Sequence, residues 1–150
     1  MPRYQTSITV PHTPDNMFAL VSDIARYPDF IRWIRTMSVS QQRIEGDVQH
    51  CLGEASVGFR GFSERFATTV EADPKAQSVR AVLVRGPFKR LKNVWAFSEI
   101  SGGTKIDFDI DYEFSNFILR MLAKNNFRLA VDKIMGAFLA EADRRYERVA

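Results

Sequence analysis

The chain has 150 residues, 45% hydrophobic and 26% charged, a globular composition that fits one domain with a sizeable core and excludes low-complexity character. Its net charge of +3 and pI near 9.2 favour an anionic partner surface but are too weak to point to nucleic acid. A single cysteine, Cys51, excludes an internal disulfide, and no apolar run approaches the ~20 residues of a membrane span. The N-terminus alternates instead of showing a secretory pattern, so the expected location is cytoplasmic, at most peripheral to the inner face of a membrane.

Tyr4, Thr6, Ile8 and Val10 alternate with polar neighbours, which predicts an opening half-buried strand ended by Pro11 and Pro14. Thr13 then caps a short helix with Pro14 at its first position and Met17, Leu20, Val21 and Ile24 on its buried face. Pro28 interrupts that helix and starts a separate turn or short helix over 28–34. Six further strands are predicted over 36–44, 48–59, 64–72, 78–84, 91–100 and 104–114, with short connections that favour antiparallel neighbours. Along the last strand Ile106, Phe108, Ile110, Tyr112 and Phe114 face one way and Asp107, Asp109 and Asp111 the other; Leu91, Trp95 and Phe97 form a similar apolar face.

The remainder, 115–149, reads as one helix with Ser115 as N-cap and Arg144, Arg145 and Arg148 near its C-terminus. Phe127, Val131, Ile134, Phe138 and Ala142 form an apolar stripe. Ile118, Met121 and Leu122 form a second stripe rotated from the first, which predicts a bend or break near Asn125 and Asn126. Gly136 is read as a point of close approach to the sheet. At ~1.5 Å per residue the stretch is about 50 Å long, so only a broad surface can bury it. A curved antiparallel sheet of about seven strands wrapped around the helix supplies such a surface, giving an α+β single domain over residues 1–150.

No catalytic or metal-binding constellation emerges. His50 and Cys51 are adjacent on a strand and point to opposite faces, and His12 lies apart from both. Alternate strand residues are about 6.6 Å apart, so Asp107, Asp109 and Asp111 do not converge on one ion; a solvated outer face paired with neighbouring cations is the better reading. Two stretches remain informative. Residues 85–92 place Arg85, Lys89, Arg90 and Lys92 around Phe88 without an acid, which suits either contact with an anionic interface or a solvated hairpin turn with Phe88 tucked inward. Tyr27, Phe30 and Trp33 cluster around Pro28 as a core plug or the closure of a cavity.

With these residues in place the chain resembles the coenzyme Q-binding proteins of the START-like, or polyketide cyclase-like, superfamily. The matching pieces are Tyr27-Pro28-Asp29-Phe30 with Trp33, then Val57-Gly58-Phe59, then Gly86-Pro87-Phe88-Lys89-Arg90-Leu91 with Asn93, Trp95 and Phe97. They end with Ile106-Asp107-Phe108 through Tyr112-Glu113-Phe114. Arg32 and Ile34 stand where family members commonly carry proline and cysteine.

The resemblance implies a helix-grip fold and a non-enzymatic protein, without a catalytic cofactor or metal, that holds ubiquinone or a related isoprenoid lipid in support of respiratory quinone function. On that reading Phe30, Trp33, Val57, Phe59, Phe88, Trp95, Phe97 and Tyr112 are the candidate ligand-binding residues, with Ile118, Leu122 and Val131 as a helical wall. Arg85, Phe88, Lys89, Arg90 and Lys92 are the candidates for contact with a membrane or other anionic surface. The same branch includes bacterial toxins that associate with the ribosome, which makes a ribosome-associating regulator the alternative.

Overall fold

In the computed structural model, which describes residues 3–59 and 62–149, one curved antiparallel sheet grips a long C-terminal helix. Strand β1 (Arg3–Val10) is followed by α1 (Pro14–Ser22), a 3-10 turn (Ile24–Arg26) and α2 (Tyr27–Phe30). Strands β2 (Ile34–Glu45), β3 (Val48–Phe59), β4 (Phe62–Asp73), β5 (Ser78–Arg85), β6 (Phe88–Ile100) and β7 (Gly103–Phe114) then lead to α3 (Phe117–Arg145). The spatial order is β1-β7-β6-β5-β4-β3-β2, so the first two strands in sequence form opposite edges of the sheet.

Consecutive strands from β2 onward pair antiparallel with their sequence neighbours, as the short connections predict. In the β4–β5 turn the Asp73 carboxylate accepts from the amides of Lys75 and Ala76, at 3.0 and 3.1 Å. Register shifts interrupt the β2–β3, β4–β5 and β6–β7 ladders, and such bulges sharpen the local bend and twist of a sheet. The inner face supplies Val70, Ala72, Val79, Trp95, Phe97, Ile106 and Phe108 to the core, against Val131, Met135, Phe138 and Ala142 of α3. Trp95 meets Phe108 and Phe138 edge-on, with ring centres 4.9 and 5.1 Å away.

Thr13 caps α1 as expected, its hydroxyl accepting from the Asn16 amide at 3.1 Å, and Met17, Leu20 and Val21 are buried. The helix ends at Ser22, not at Pro28, because Asp23 leaves helical geometry (φ −87°, ψ 69°) and the chain turns before the proline arrives.

Four expectations for α3 are corrected. Asn116, not Ser115, is its N-cap: the Asn116 side-chain oxygen accepts from the amides of Ile118 and Leu119, at 2.7 and 3.4 Å. The helix runs unbroken past Asn125 and Asn126 and stops at Arg145, four residues short of Val149. The Asn126 side chain donates to the Leu122 carbonyl at 2.9 Å, an i to i−4 bond that joins successive turns. Gly136 is exposed, and a Cβ there would meet nothing within 4 Å, so it marks no close approach to the sheet.

The aspartates of β7 form a paired outer face. The Arg3 guanidinium donates to both Asp109 oxygens, at 3.2 and 2.7 Å, and Arg90 donates to Asp111 at 2.9 Å. Hydrogen bonding from Arg3 holds the Asp109 carboxyl below its usual range.

Candidate functional site: an apolar cavity between sheet and helix

Between the inner face of the sheet and α3 lies a cavity of about 280 Å³. Alternation along the strands points Val57 of β3, Phe66 of β4, Ala81 of β5 and Leu91 and Trp95 of β6 toward it. On α3, Leu122, Ala123, Asn126, Phe127, Ala130 and Val131 form the other side, and Ile31 and Trp33 add to the lining. The aromatic turn at 27–33 therefore contributes both to the core and to the cavity lining. Tyr27 and Phe30 pack edge-on against Phe138 in the core, each with ring centres 5.2 Å from it, while Trp33 lines the cavity.

Few polar groups reach this space, and most are already engaged. Asn93 donates from its side-chain nitrogen to the Asp109 carbonyl at 3.0 Å, and its oxygen accepts from the Trp95 indole at 2.8 Å. The Tyr27 hydroxyl, the one titratable group among the lining residues, donates to the Val21 carbonyl, and burial pushes its pKa up. A neutral phenol bonded to the Val21 carbonyl is a structural strut, not a proton shuttle. The cavity is built to take apolar surface out of water.

Of the residues predicted to bind a ligand, Trp33, Val57, Phe88, Trp95, Leu122 and Val131 line the cavity. Four do not. Phe30 is absorbed by Tyr27 and Phe138, and Phe97 is buried against Phe18 and Trp95. Tyr112 stacks on Phe127, ring centres 3.9 Å apart, and backs the wall instead of forming it. Ile118 is 67% exposed on the outward side of the first turns of α3, whose inward side carries the buried Leu119 and then Leu122 on the cavity wall. The Phe59 side chain lies outside the described residues. Ile34, noted above as a departure from the family's pattern, lines the cavity, whereas Arg32 is exposed.

The basic stretch at 85–92 is less free than its sequence implies. Phe88 is part of β6 and turns inward, stacked on Phe114 at 4.6 Å and edge-on to Phe66 at 5.7 Å. Arg85 pairs with Glu54 at 2.6 Å, Lys89 with Glu113 at 3.6 Å, and Arg90 with Asp111 and Glu113 at 2.9 and 2.8 Å. Hydrogen bonding from Arg90 lowers the Glu113 pKa. Lys92 is exposed opposite Asp111 in the register. Local sequence contains no acid, but cross-strand pairing supplies several.

His12 is fully buried, with its Nε2 2.7 Å from Asp143. His50 lies between Glu45 and Glu71, at 3.7 and 3.8 Å, while Cys51 packs against the core and burial raises its thiol pKa. Among the described residues, no three histidine, cysteine or carboxylate side chains gather as a metal site.

Residues 10–139 match the polyketide cyclase / dehydrase and lipid transport family. The chain belongs to that family. Its relatives there differ in what their names describe. The ribosome association toxin RatA of Rickettsia prowazekii is 30% identical, over 90% of this chain and 92% of its own length. The mitochondrial coenzyme Q-binding protein coq10 of Schizosaccharomyces pombe is 28% identical, over 93% of this chain and 85% of its own. A Caulobacter crescentus protein of known solution structure is 37% identical, with a TM-score of 0.83 over 96% of this chain and 97% of its own. A START superfamily protein from Mycobacterium smegmatis shares the fold at 16% identity and a TM-score of 0.82, covering 96% of this chain and 99% of its own. This member of the family thus has the START-like helix-grip architecture that the ordered motifs imply, and no described helix is long and apolar enough to cross a membrane.

Proposed function

We propose that the protein binds ubiquinone or a related isoprenoid lipid, without chemical conversion, in the cavity between sheet and helix, in support of respiratory quinone function. The observation that carries this reading is the lining itself: aromatic and aliphatic side chains, with the polar atoms of Asn93 and Tyr27 already committed to internal hydrogen bonds. A coenzyme Q-binding relative of similar length adds support. Burial of apolar ligand surface at roughly 25 cal/mol per Å² supplies the affinity before ordering costs are subtracted. A cavity of about 280 Å³ lies at the small end of the range for small-molecule sites, so it takes a ring and the first part of a tail while the rest of the polyisoprenoid stays outside.

Both tryptophans, Trp33 and Trp95, line the cavity, so intrinsic fluorescence reports occupancy. Titration with detergent-solubilised ubiquinone quenches the emission saturably, and Ala130→Phe, which fills the space from the helix side, abolishes the saturable part while leaving the circular dichroism spectrum intact. Organic extraction of protein purified from a quinone-containing membrane source recovers the lipid, identified by mass spectrometry. Empty protein together with absent quenching sinks the reading.

The 30% identity to a ribosome association toxin favours a second reading, a ribosome-associating regulator. Phosphate-dominated binding weakens steeply with salt, whereas retention of an apolar lipid does not. Co-sedimentation with ribosomal subunits that falls steeply with salt and is unaffected by Ala130→Phe is the result that selects it.

A further inference from the structure

Three of the exposed large hydrophobic side chains gather at the start of α3. Phe117, Ile118 and Met121 are 66%, 67% and 49% exposed and adjoin one another on the first turns of the helix. Phe117, Met121, Lys124 and Arg128 follow at spacings of four, three and four, so they form one stripe, with Leu129 and Arg120 beside it. Between Glu113 and Asp132 the chain carries no carboxylate. Arg120, Lys124 and Arg128 are exposed and make no ion pair among the described residues, in contrast to Arg85, Lys89 and Arg90, which all do.

We infer that the outward face of the first half of α3 docks on an anionic lipid surface, with Phe117, Ile118 and Met121 inserted among the acyl chains and Arg120, Lys124 and Arg128 at the headgroups. An apolar cluster bordered by unpaired cations matches both layers of such a surface, whereas nucleic-acid phosphates would leave the three apolar side chains in water. The same turns carry Leu122, Ala123 and Asn126 on the cavity side, so the docked helix stands between bilayer and cavity. The β5–β6 turn is at the same end, since the Ser115 amide donates to the Pro87 carbonyl at 2.9 Å. The docking stands on this face alone; passage of a lipid across the wall rests on the reading proposed above.

The test is flotation of the intact chain with quinone-free vesicles of phosphatidylcholine, with and without phosphatidylglycerol. The wild type floats with the anionic vesicles. I118D/M121D and K124E/R128E, both at exposed positions, each lower its partitioning by roughly tenfold or more, and the charge pair also removes the salt dependence. Quenching by detergent-solubilised ubiquinone reads the cavity separately and is unchanged in both variants, and their unchanged circular dichroism spectra and thermal melts establish that they fold. Wild-type protein that stays unbound, or variants that float as it does, overturns the docking whatever the cavity binds. Variants that keep flotation but lose sedimentation with ribosomal subunits reassign the face to the ribosome and overturn it equally.

Discussion

Glycines separate what one residue can disclose from what its neighbours decide. Gly136 and Gly103 look alike as sequence, yet Gly136 has open space where a Cβ would project, while a Cβ on Gly103 would lie 1.9 Å from the Val10 carbonyl oxygen at a backbone φ of 151°. Gly136→Ala therefore raises stability by about 0.5 to 1 kcal/mol, through helix propensity and a less free unfolded chain. Gly103→Ala lowers it by about 3 kcal/mol or more; urea denaturation measures both. Glu141 is legible only in part: Arg144 and Arg145 are in sequence reach, but burial of the carboxylate is not. Hydrogen bonding, first from Arg144 and then from Arg145, lowers the Glu141 pKa from 4.5 to about 2. A depressed folded-state pKa stabilises fully above the unfolded value and is lost as pH falls through the folded one. The stability advantage of wild type over Glu141→Gln is thus complete at neutral pH, shrinks below about 4.5 and is gone near 2; chemical denaturation across that range measures it.

At the scale of elements, α3 shows how far periodicity carries. Its rotated apolar stripes are real, but they produce no break: the first half turns Leu119, Leu122 and Phe127 inward and the second half Val131, Met135 and Phe138, all on one continuous helix. At 29 residues and ~1.5 Å per residue it is about 44 Å long, and its two halves meet different surfaces, a cavity and a packed core. Ser115 and Asn116 are both good capping types, and only backbone geometry decided for Asn116. Asn116→Ala leaves the first-turn amides without their acceptor and lowers the unfolding free energy by about 1 kcal/mol, read from a thermal melt. For the β5–β6 hairpin, local sequence gave a basic loop around an aromatic; strand pairing turned Phe88 inward and neutralised three of the cations.

Across the whole molecule, the two ends of the fold are tied at His12. The buried ring meets Asp143 beyond the middle of α3, the Thr104 hydroxyl donates to the His12 carbonyl at 2.6 Å, and the Val149 amide donates to the Pro11 carbonyl at 2.8 Å. His12→Ala removes the ring from this junction, deletes the Asp143 contact and lowers stability by about 2 kcal/mol or more, with a lower denaturant midpoint as the measurement. Nothing in the sequence brings His12 near Asp143, because the partners are separated by the whole sheet. The strand alternation, the proline and threonine that open α1, and the apolar periodicity of α3 were determined by the chain alone, since each follows from side-chain spacing along a single element. With the ordered motifs, they were enough to place the fold. Which of those apolar residues bound an empty volume, which fill the core and which face water was decided only by the tertiary structure. Sheet curvature and helix placement set those distances, and four residues along α3, a net rotation of about 40°, separate Ile118 in solvent from Leu122 on the cavity wall.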